Sequence, residues 1–266
     1  MLFGCFGSEG QLETIAEAGY DTVELDAFEL AGLAKNRLFD FYRRADRSGI
    51  RFDVLSGLIP LSVRFHSPSF DKEYWLKHVK NVCEIAGNIG CHMIPLGAGK
   101  CRSIPEDCND AARARQTVRE IVYSICEIFD RYGIEMVIEP LGPANSNFLN
   151  LIGETAQFAG SVGLENCHTM CDLRHMVKLG ESLGDIKEHI GEIHHAHIDY
   201  PGGTLRRFPL RDDGYDYSPY LNALHDAGYD RILTIEATYS DCFQKDCEES
   251  LAYLKELAGK LGYIVS

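Results

Sequence analysis

The sequence predicts a single (β/α)₈ TIM barrel that spans residues 1–266. Three observations predict this fold class: eight short apolar runs, segments with helical periodicity between them, and a glycine just ahead of nearly every run. Glycine is typical of the position that follows the last turn of a helix, so each one marks the change from helix to strand. Eight such units in 266 residues are typical of a (β/α)₈ barrel.

The predicted strands are short runs rich in branched apolar side chains. They cover residues 2–6, 22–25, 51–55, 92–96, 135–139, 167–172, 193–198 and 232–236. Helical patterns between them include 73–86, 115–131 and 248–261. The phrase Ala-Gly-Tyr-Asp occurs at 18–21 and again at 227–230, which indicates a repeated unit. An open doubly wound sheet is the alternative, but no glycine-rich phosphate loop follows the first run.

Composition and charge limit the classes of partner. A hydrophobic content of 45% is enough for one large core, and a net charge of −14 argues against nucleic acid, because phosphate binding depends on clustered Lys and Arg. We find no signal peptide and no membrane span, so the expected location is cytoplasmic. The ten cysteines form no CxxC pair, and in a cytoplasmic chain we expect free thiols. These features suit an enzyme that acts on a small molecule.

Four residues with metal-ligating side chains stand at or next to the ends of predicted strands. They close the fifth to eighth runs and are Glu139, Asp172, His197 and Glu236. The carboxyl ends of barrel strands meet at one mouth, where functional side chains project. One carboxylate there is most often a solvated charge, but these four have apolar neighbours, and a buried carboxylate is costly unless it is paired or binds a cation. The set therefore predicts a site for Mn²⁺, Mg²⁺ or Co²⁺.

Further polar residues accompany the same strands. Because side chains alternate along a strand, His195 and His197 share a face. His197 is nearer the mouth and is the better ligand, whereas His195 is equally consistent with a hydrogen-bonded residue beneath it. His175 lies just past the sixth strand, where its imidazole could hydrogen-bond a substrate oxygen. Three arginines in the segment 200–211 could cover a bound polyol or anion, and the alternative is a flexible basic loop in an acidic protein.

Five motifs carry a family resemblance, which covers essentially the whole chain and is most specific from residue 138 onward. They are Ile138-Glu-Pro-Leu141, Cys171-Asp-Leu-Arg-His-Met176, His195-Ala-His-Ile198, Arg206-Arg-Phe-Pro209 and Gly228-Tyr-Asp-Arg-Ile-Leu-Thr-Ile-Glu236. With these motifs the sequence resembles the xylose isomerase-like barrels, a family that includes D-tagatose 3-epimerase and related sugar isomerases and epimerases.

The resemblance implies a metal site, a reaction and a substrate class. It places the metal ligands at Glu139, Asp172, His197 and Glu236, and substrate-binding side chains at His175 and Arg206. The implied substrate is a small sugar or polyol, and the implied metal is Mn²⁺, with Mg²⁺, Co²⁺ or Zn²⁺ as alternatives. Glu139 and Glu236 would form the acid/base pair that removes and returns a proton next to a carbonyl, through an enediolate. A homodimer or homotetramer is expected by analogy.

Two other activities stay open at this point. Related barrels with the same metal set are dehydratases or lyases that act on keto-polyols or keto-glycosides, and these also begin by removing an α-proton. Ketohexose 3-epimerases commonly have a glutamate six residues after the first metal ligand, where this chain has Asn145. The other alternative is a barrel that binds a sugar without turning it over. A DNA-repair barrel of the endonuclease IV type is excluded, since its zinc cluster needs histidines that 22–25 and 51–55 lack.

Overall fold

The computed structural model describes residues 1–263 and shows a closed barrel of parallel strands. Each strand pairs with its neighbours in chain order, and β1 closes the barrel against β8. The strands are β1 (Leu2–Gly7), β2 (Thr22–Asp26), β3 (Arg51–Ser56), β4 (Met93–Leu96), β5 (Glu135–Ile138), β6 (Cys167–Asp172), β7 (Ile193–Ile198) and β8 (Ile232–Ile235). The predicted (β/α)₈ fold is therefore confirmed; residues 264–266 of the predicted domain lie outside the described residues.

Helices connect the strands and cover the outside of the barrel. A short 3₁₀ helix (Glu9–Gln11) precedes the first of them. The helices are α1 (Leu12–Glu17), α2 (Ala27–Ala31), α3 (Lys35–Ser48), α4 (Lys72–Ile89), α5 (Gly99–Arg102), α6 (Ala111–Asp130), α7 (Ile152–Val162), α8 (Leu173–Leu179), α9 (Gly184–Glu188), α10 (Ser218–Asp226) and α11 (Phe243–Lys260). The three predicted helical segments correspond to α4, α6 and α11, each a few residues longer than its apolar pattern.

Helix α4 illustrates how local sequence sets an element. The side chain of Asp71 accepts a hydrogen bond from the Tyr74 backbone N–H at 3.0 Å, which caps the first turn. Gly90, with φ of 79°, ends the helix in the left-handed conformation that the glycine predicted. The buried side chains of α4 recur at three- and four-residue spacing and are Val79, Val82, Cys83, Ile85 and Ala86. One face of α4 therefore packs against the sheet.

The interior of the barrel is a packed core and not a pore. Five buried apolar side chains from different strands form one cluster: Val54, Met93, Val137, Met170 and Ile232. A much larger apolar layer lies between the strands and the helices. This arrangement leaves the carboxyl ends of the strands free to carry polar residues.

Two strands end one residue earlier than predicted. β5 ends at Ile138 and β8 at Ile235, so Glu139 and Glu236 are the first residues beyond the strands. After Glu139 the chain continues with Pro140, which has no backbone N–H to extend the ladder. Both glutamates thus leave the sheet at its carboxyl edge.

A histidine pair lies at the opposite end of the barrel. The His168 ring stacks on the His194 ring with centroids 3.4 Å apart and planes inclined by 15°. His194 Nδ1 lies 2.8 Å from Glu135 Oε2, and its Nε2 lies 3.4 Å from Arg231 Nη2. Although these residues include three with metal-ligating side chains, the adjacent guanidinium disfavours a cation there. The cluster links the starts of β5, β6 and β7.

The state of the cysteines and the apolar character of the helices also bear on the expectations from the sequence. All ten cysteines are free, and eight of them are buried, as expected for thiols within apolar patterns. Among residues 1–263, no helix is long and apolar enough to cross a membrane.

The half-buried residue His168 predicts a loss of stability in acid. Burial, followed by the neighbouring His194, lowers the pKa of His168 to about 4, below its value of roughly 6.5 in the unfolded chain. The unfolded chain therefore binds a proton first, and stability is lost as the pH falls from about 6.5 to about 4. After discounting for partial exposure, we expect this loss to be about 1 kcal/mol.

Urea denaturation of the wild type and of His168→Phe across this pH range measures the effect. The difference in unfolding free energy between the two proteins should grow in favour of His168→Phe as the pH falls. The same substitution at the exposed His225 is the control, and parallel curves for wild type and His168→Phe would contradict the prediction.

Candidate metal centre

The structure brings together the four side chains that the sequence predicted as a set. Glu139, Asp172, His197 and Glu236 each offer a ligand atom, and these atoms all lie within 4.8 Å of one another. Three of the residues are at most 4% exposed, and the Glu236 side chain is 16% exposed. They come from four consecutive strands, so the group occupies one side of the barrel mouth.

Strand register and helix capping position these residues. Asp172 and His197 are partners in the register between β6 and β7. Asp172 also caps α8, because its Oδ1 accepts a hydrogen bond from the His175 backbone N–H at 3.0 Å. Beyond the end of β8, the Glu236 backbone N–H donates to Ile198 O at 3.0 Å. The backbone is therefore ordered up to the residues that carry the carboxylates.

His197 lies at the centre of the group. Its Nδ1 atom is 2.9 Å from Glu236 Oε2 and 3.9 Å from Asp172 Oδ2. Burial disfavours the charged imidazole, but the carboxylates of Glu24 and Glu236 raise the pKa of His197 well above its usual value. The surroundings of the His197 ring are thus strongly acidic.

The two deeply buried carboxylates of the group respond to this environment in opposite directions. Burial, followed by the negative charges of Glu236 and Asp172, raises the pKa of Glu139 well above its usual range. Burial also opposes ionisation of Asp172, but the neighbouring side chains of His175, Arg206 and His197 lower its pKa. Glu139 is consequently the carboxylate that most lacks a compensating cation.

The donor set fits a divalent cation. Glu139 Oε1 and His197 Nδ1 are buried and have no hydrogen-bond partner among the described residues, although each faces the group. Three carboxylates and one imidazole suit Mn²⁺, Mg²⁺, Co²⁺ or Zn²⁺. Gly97 leaves room for this arrangement, because a Cβ atom at that position would collide with Glu139 Oε2.

Arg206 and His175 complete the polar layer above the group. Arg206 Nη1 lies 3.1 Å from Asp172 Oδ2, and its guanidinium also contacts Glu236. His175 Nε2 lies 3.0 Å from Arg206 Nη2 and 3.6 Å from Glu139 Oε1. Both predicted substrate-binding residues therefore lie in direct contact with the predicted metal ligands.

The loop that carries Arg206 is held in place by its backbone. Tyr200 N donates to Arg207 O, and Tyr239 N donates to Arg206 O, each at 2.9 Å. The other two arginines of the loop lie elsewhere: Arg207 pairs with Asp241 and Arg211 with Glu256, both on the exposed surface. Of these three arginines, Arg206 alone is brought to the site. The expectation that all three would cover a bound polyol or anion is therefore corrected.

Two clefts open at the same end of the barrel. One, of about 520 Å³, is lined by the loops after β3, β4 and β5 and includes Lys100 and Asn145. The other, of about 310 Å³, is lined by the segments after β1, β2 and β8 and includes Asp26 and Thr238. Both clefts have linings of mixed polar and apolar character.

One known family matches most of this chain. The family described as the xylose isomerase-like TIM barrel matches residues 12–257. The chain belongs to this family. The resemblance predicted from the motifs is therefore confirmed.

Individual proteins are similar to this chain at low sequence identity. The inosose isomerase of Bacillus licheniformis is 25% identical over 145 residues, which are 52% of each chain, so the chain spans about half the length of the curated relatives it matches. The structure of D-psicose 3-epimerase from Clostridium cellulolyticum H10 with D-tagatose has a TM-score of 0.82 at 16% identity, over 97% of this chain and 99% of that one. For 3-keto-D-glucoside 4-epimerase from E. coli the TM-score is 0.78 at 16% identity, over 96% and 99%.

Sequence reasoning missed three buried charged residues near the site of this family member. Glu24 on β2 is 0% exposed and contacts both His195 and His197. Asp199 is 1% exposed and lies 3.4 Å from Arg206, and burial, followed by Asp172, raises its pKa to about 8. The third residue, Arg102, is described below. A charged residue inside an apolar run is the signal that could have identified Glu24.

Arg102 anchors the loop that carries Glu139. The guanidinium is fully buried and donates to backbone carbonyl groups at the end of β4 and in the segment after β5. Its Nη1 donates to Leu96 O at 2.8 Å, while Nη2 donates to Leu149 O at 3.2 Å and to Glu139 O. Hydrogen bonds to a charged donor are stronger than neutral ones. Arg102 therefore ties the end of β4 to the segment after β5.

Replacing Arg102 by Met keeps most of the side-chain volume and removes these donors. Because several buried carbonyl groups lose their partners, we expect the unfolding free energy to fall by about 3 kcal/mol. Urea denaturation monitored by circular dichroism measures the change. Arg113→Met, at an exposed position on α6, is the control and should change stability by less than about 0.5 kcal/mol. An Arg102→Met protein as stable as the wild type would show that these hydrogen bonds do not hold the loops.

Proposed function

We propose that this chain is a divalent-metal-dependent sugar isomerase or epimerase that removes a proton next to a carbonyl. The observation that carries the proposal is the convergence of Glu139, Asp172, His197 and Glu236 within 4.8 Å at the barrel mouth. Two glutamates in that set supply the pair of proton-transfer groups that such a reaction needs. The family membership and the isomerase and epimerase names of the relatives support the same class of activity.

In this proposal the four residues hold Mn²⁺, or alternatively Mg²⁺, Co²⁺ or Zn²⁺. When bound, the cation supplies Lewis-acid polarisation of the substrate carbonyl and lowers the cost of the enediolate. Glu139 and Glu236 remove and return the proton. Glu139 suits this role because its Oε1 is free of hydrogen bonds among residues 1–263 and its side chain is shielded from bulk water.

His175 and Arg206 orient the substrate. Burial lowers the pKa of His175, so the ring is neutral near pH 7 and can donate or accept a hydrogen bond from a hydroxyl group. The Arg206 side chain is 18% exposed and faces both Glu139 and Glu236, which places its guanidinium where oxygen atoms of a polyol would enter. Excluding water around these groups strengthens their electrostatic effect on a reacting carbonyl.

Several finer expectations stay predictions. They are the preference for Mn²⁺, the cytoplasmic location and assembly as a homodimer or homotetramer. A dehydratase or lyase activity on a keto-polyol or keto-glycoside also stays open, because it starts with the same proton transfer. The product distinguishes it: loss of water or of a glycosidic group indicates a lyase, and an epimer or isomer indicates the proposed enzyme.

Metal content is the first test. Protein purified without chelator should contain about one divalent ion per chain. Saturating Mn²⁺ at 100 times its Kd should stabilise the protein by about 2.7 kcal/mol and raise Tm by about 5–10 °C. Asp172→Asn, which can still cap α8, should lose this shift. If no divalent ion binds to the wild type, the metal-dependent proposal is wrong and a sugar-binding barrel is favoured.

Exchange of the substrate α-proton with D₂O tests the two glutamates. With ketoses, inososes and 3-keto-glycosides as the panel, Glu139→Gln and Glu236→Gln should each slow exchange at least about 100-fold, because general acid/base groups contribute on that scale. Glu135→Gln is the matched control, since Glu135 begins β5, the strand that Glu139 directly follows, and so lies at the other end of the barrel. Wild-type exchange rates in both variants, with metal bound, would refute the assigned roles.

A further inference from the structure

The centre of the barrel contains a carboxylate that the proposed reaction does not use. We propose that Glu24 is a positioning residue: it holds His197 through Nε2, so that Nδ1 is the nitrogen presented to the divalent cation. This inference rests on the proposed metal-dependent function. It assigns a role to a residue on β2, on the far side of the barrel interior from the strands that carry the four candidate ligands.

The contacts of Glu24 form a closed set beneath the candidate metal centre. Glu24 Oε1 lies 3.2 Å from His197 Nε2, and Oε2 lies 3.0 Å from His195 Nε2. Ser56 Oγ also donates to Oε1. Because carboxylate oxygens accept, each imidazole donates from Nε2. Both oxygens of Glu24 are therefore occupied by donors.

The two nitrogens of His197 face different environments. Nε2 points down to Glu24, whereas Nδ1 points up, 2.9 Å from Glu236 Oε2. Nδ1 has no hydrogen-bond partner among the described residues. A hydrogen bond from one ring nitrogen decides which nitrogen can bind a metal, and it also fixes the orientation of the ring. The contact with Glu24 thus selects Nδ1.

His195 explains how the positioning group itself is held. Its side chain is 0% exposed, and its ring meets the His197 ring edge to face, with centroids 4.8 Å apart. By donating to the second oxygen of Glu24, His195 keeps the carboxylate from rotating away from His197. The hydrogen-bonded histidine expected beneath the metal therefore acts through Glu24 and not on the ligand directly.

Glu24, His195 and His197 form an alternative cation site, since their ligand atoms also lie within 4.8 Å of one another. Geometry disfavours a cation at this lower position. An ion there would displace the donors that already face Glu24, and it would compete for His197 with the candidate metal centre at the barrel mouth. The two arrangements differ in which His197 nitrogen keeps its proton when metal is bound. That difference can be measured.

Mn²⁺ binding by calorimetry tests the positioning role. Glu24→Gln should weaken Mn²⁺ binding about 10- to 100-fold, the usual effect of removing a hydrogen-bond partner of a ligating histidine. Glu135→Gln is the matched control: it also removes a carboxylate paired with a buried histidine of β7, but at the other end of the barrel. The control should bind Mn²⁺ within about threefold of the wild type.

A second variant and a spectroscopic readout separate positioning from a general loss of structure. If Glu24→Gln does not fold, Glu24→Asp keeps the charge, shortens the reach to His197, and should still weaken Mn²⁺ binding. In the Zn²⁺-loaded wild type, ¹⁵N-histidine NMR should show that His197 keeps its proton on Nε2 and binds through Nδ1. Wild-type Mn²⁺ affinity in the folded variant, or ligation through Nε2, would overturn this inference alone. Absence of metal binding by the wild type would overturn the proposed function with it.

Discussion

The burial of negative charge at the barrel mouth is the constraint on which the rest of the structure depends. Glu139, Asp172 and Asp199 are at most 4% exposed, and ionised carboxylates in such surroundings are costly unless cations or donors face them. Arg206 approaches all three and also contacts Glu236. The position of the loop that carries Arg206, and its backbone pairing to the segment after β8, follow from this requirement.

Two buried arginines help to hold the loops at the mouth. Arg102 joins the segments that follow β4 and β5. Arg174, which is 2% exposed, donates to Tyr200 O at 2.6 Å and to Gly203 O at 3.0 Å, and so holds the loop after β7. Guanidinium groups suit this role because several donors in a fixed plane can satisfy carbonyl groups from different loops. The candidate site is thus supported by polar contacts at its rim and by the apolar core below.

In β5 and β7, residues at the start of the strand form stabilising contacts, and residues at or just beyond its end form the candidate site. β5 begins with Glu135, which pairs with His194 at the end of the barrel opposite the mouth. The same strand is followed by Glu139 at the mouth. On β7 the alternation of side chains sends His194 outward to that pairing and His195 and His197 inward. A change of one residue in register would exchange these faces, which is why the strand positions of the histidines and glutamates are tightly constrained.

The sequence by itself determined the eight-stranded barrel and the four residues that meet at its mouth. These depend on local signals: apolar runs, glycines after helices, and polar residues where a run ends. Only the tertiary structure decided that Arg206 alone of its loop reaches the site, that Arg102 joins two loops, and that Glu24 contacts His195 and His197. Glu24 is 171 and 173 residues from these partners. Contacts across so long a separation arise from closure of the barrel, which sets distances that no local pattern encodes.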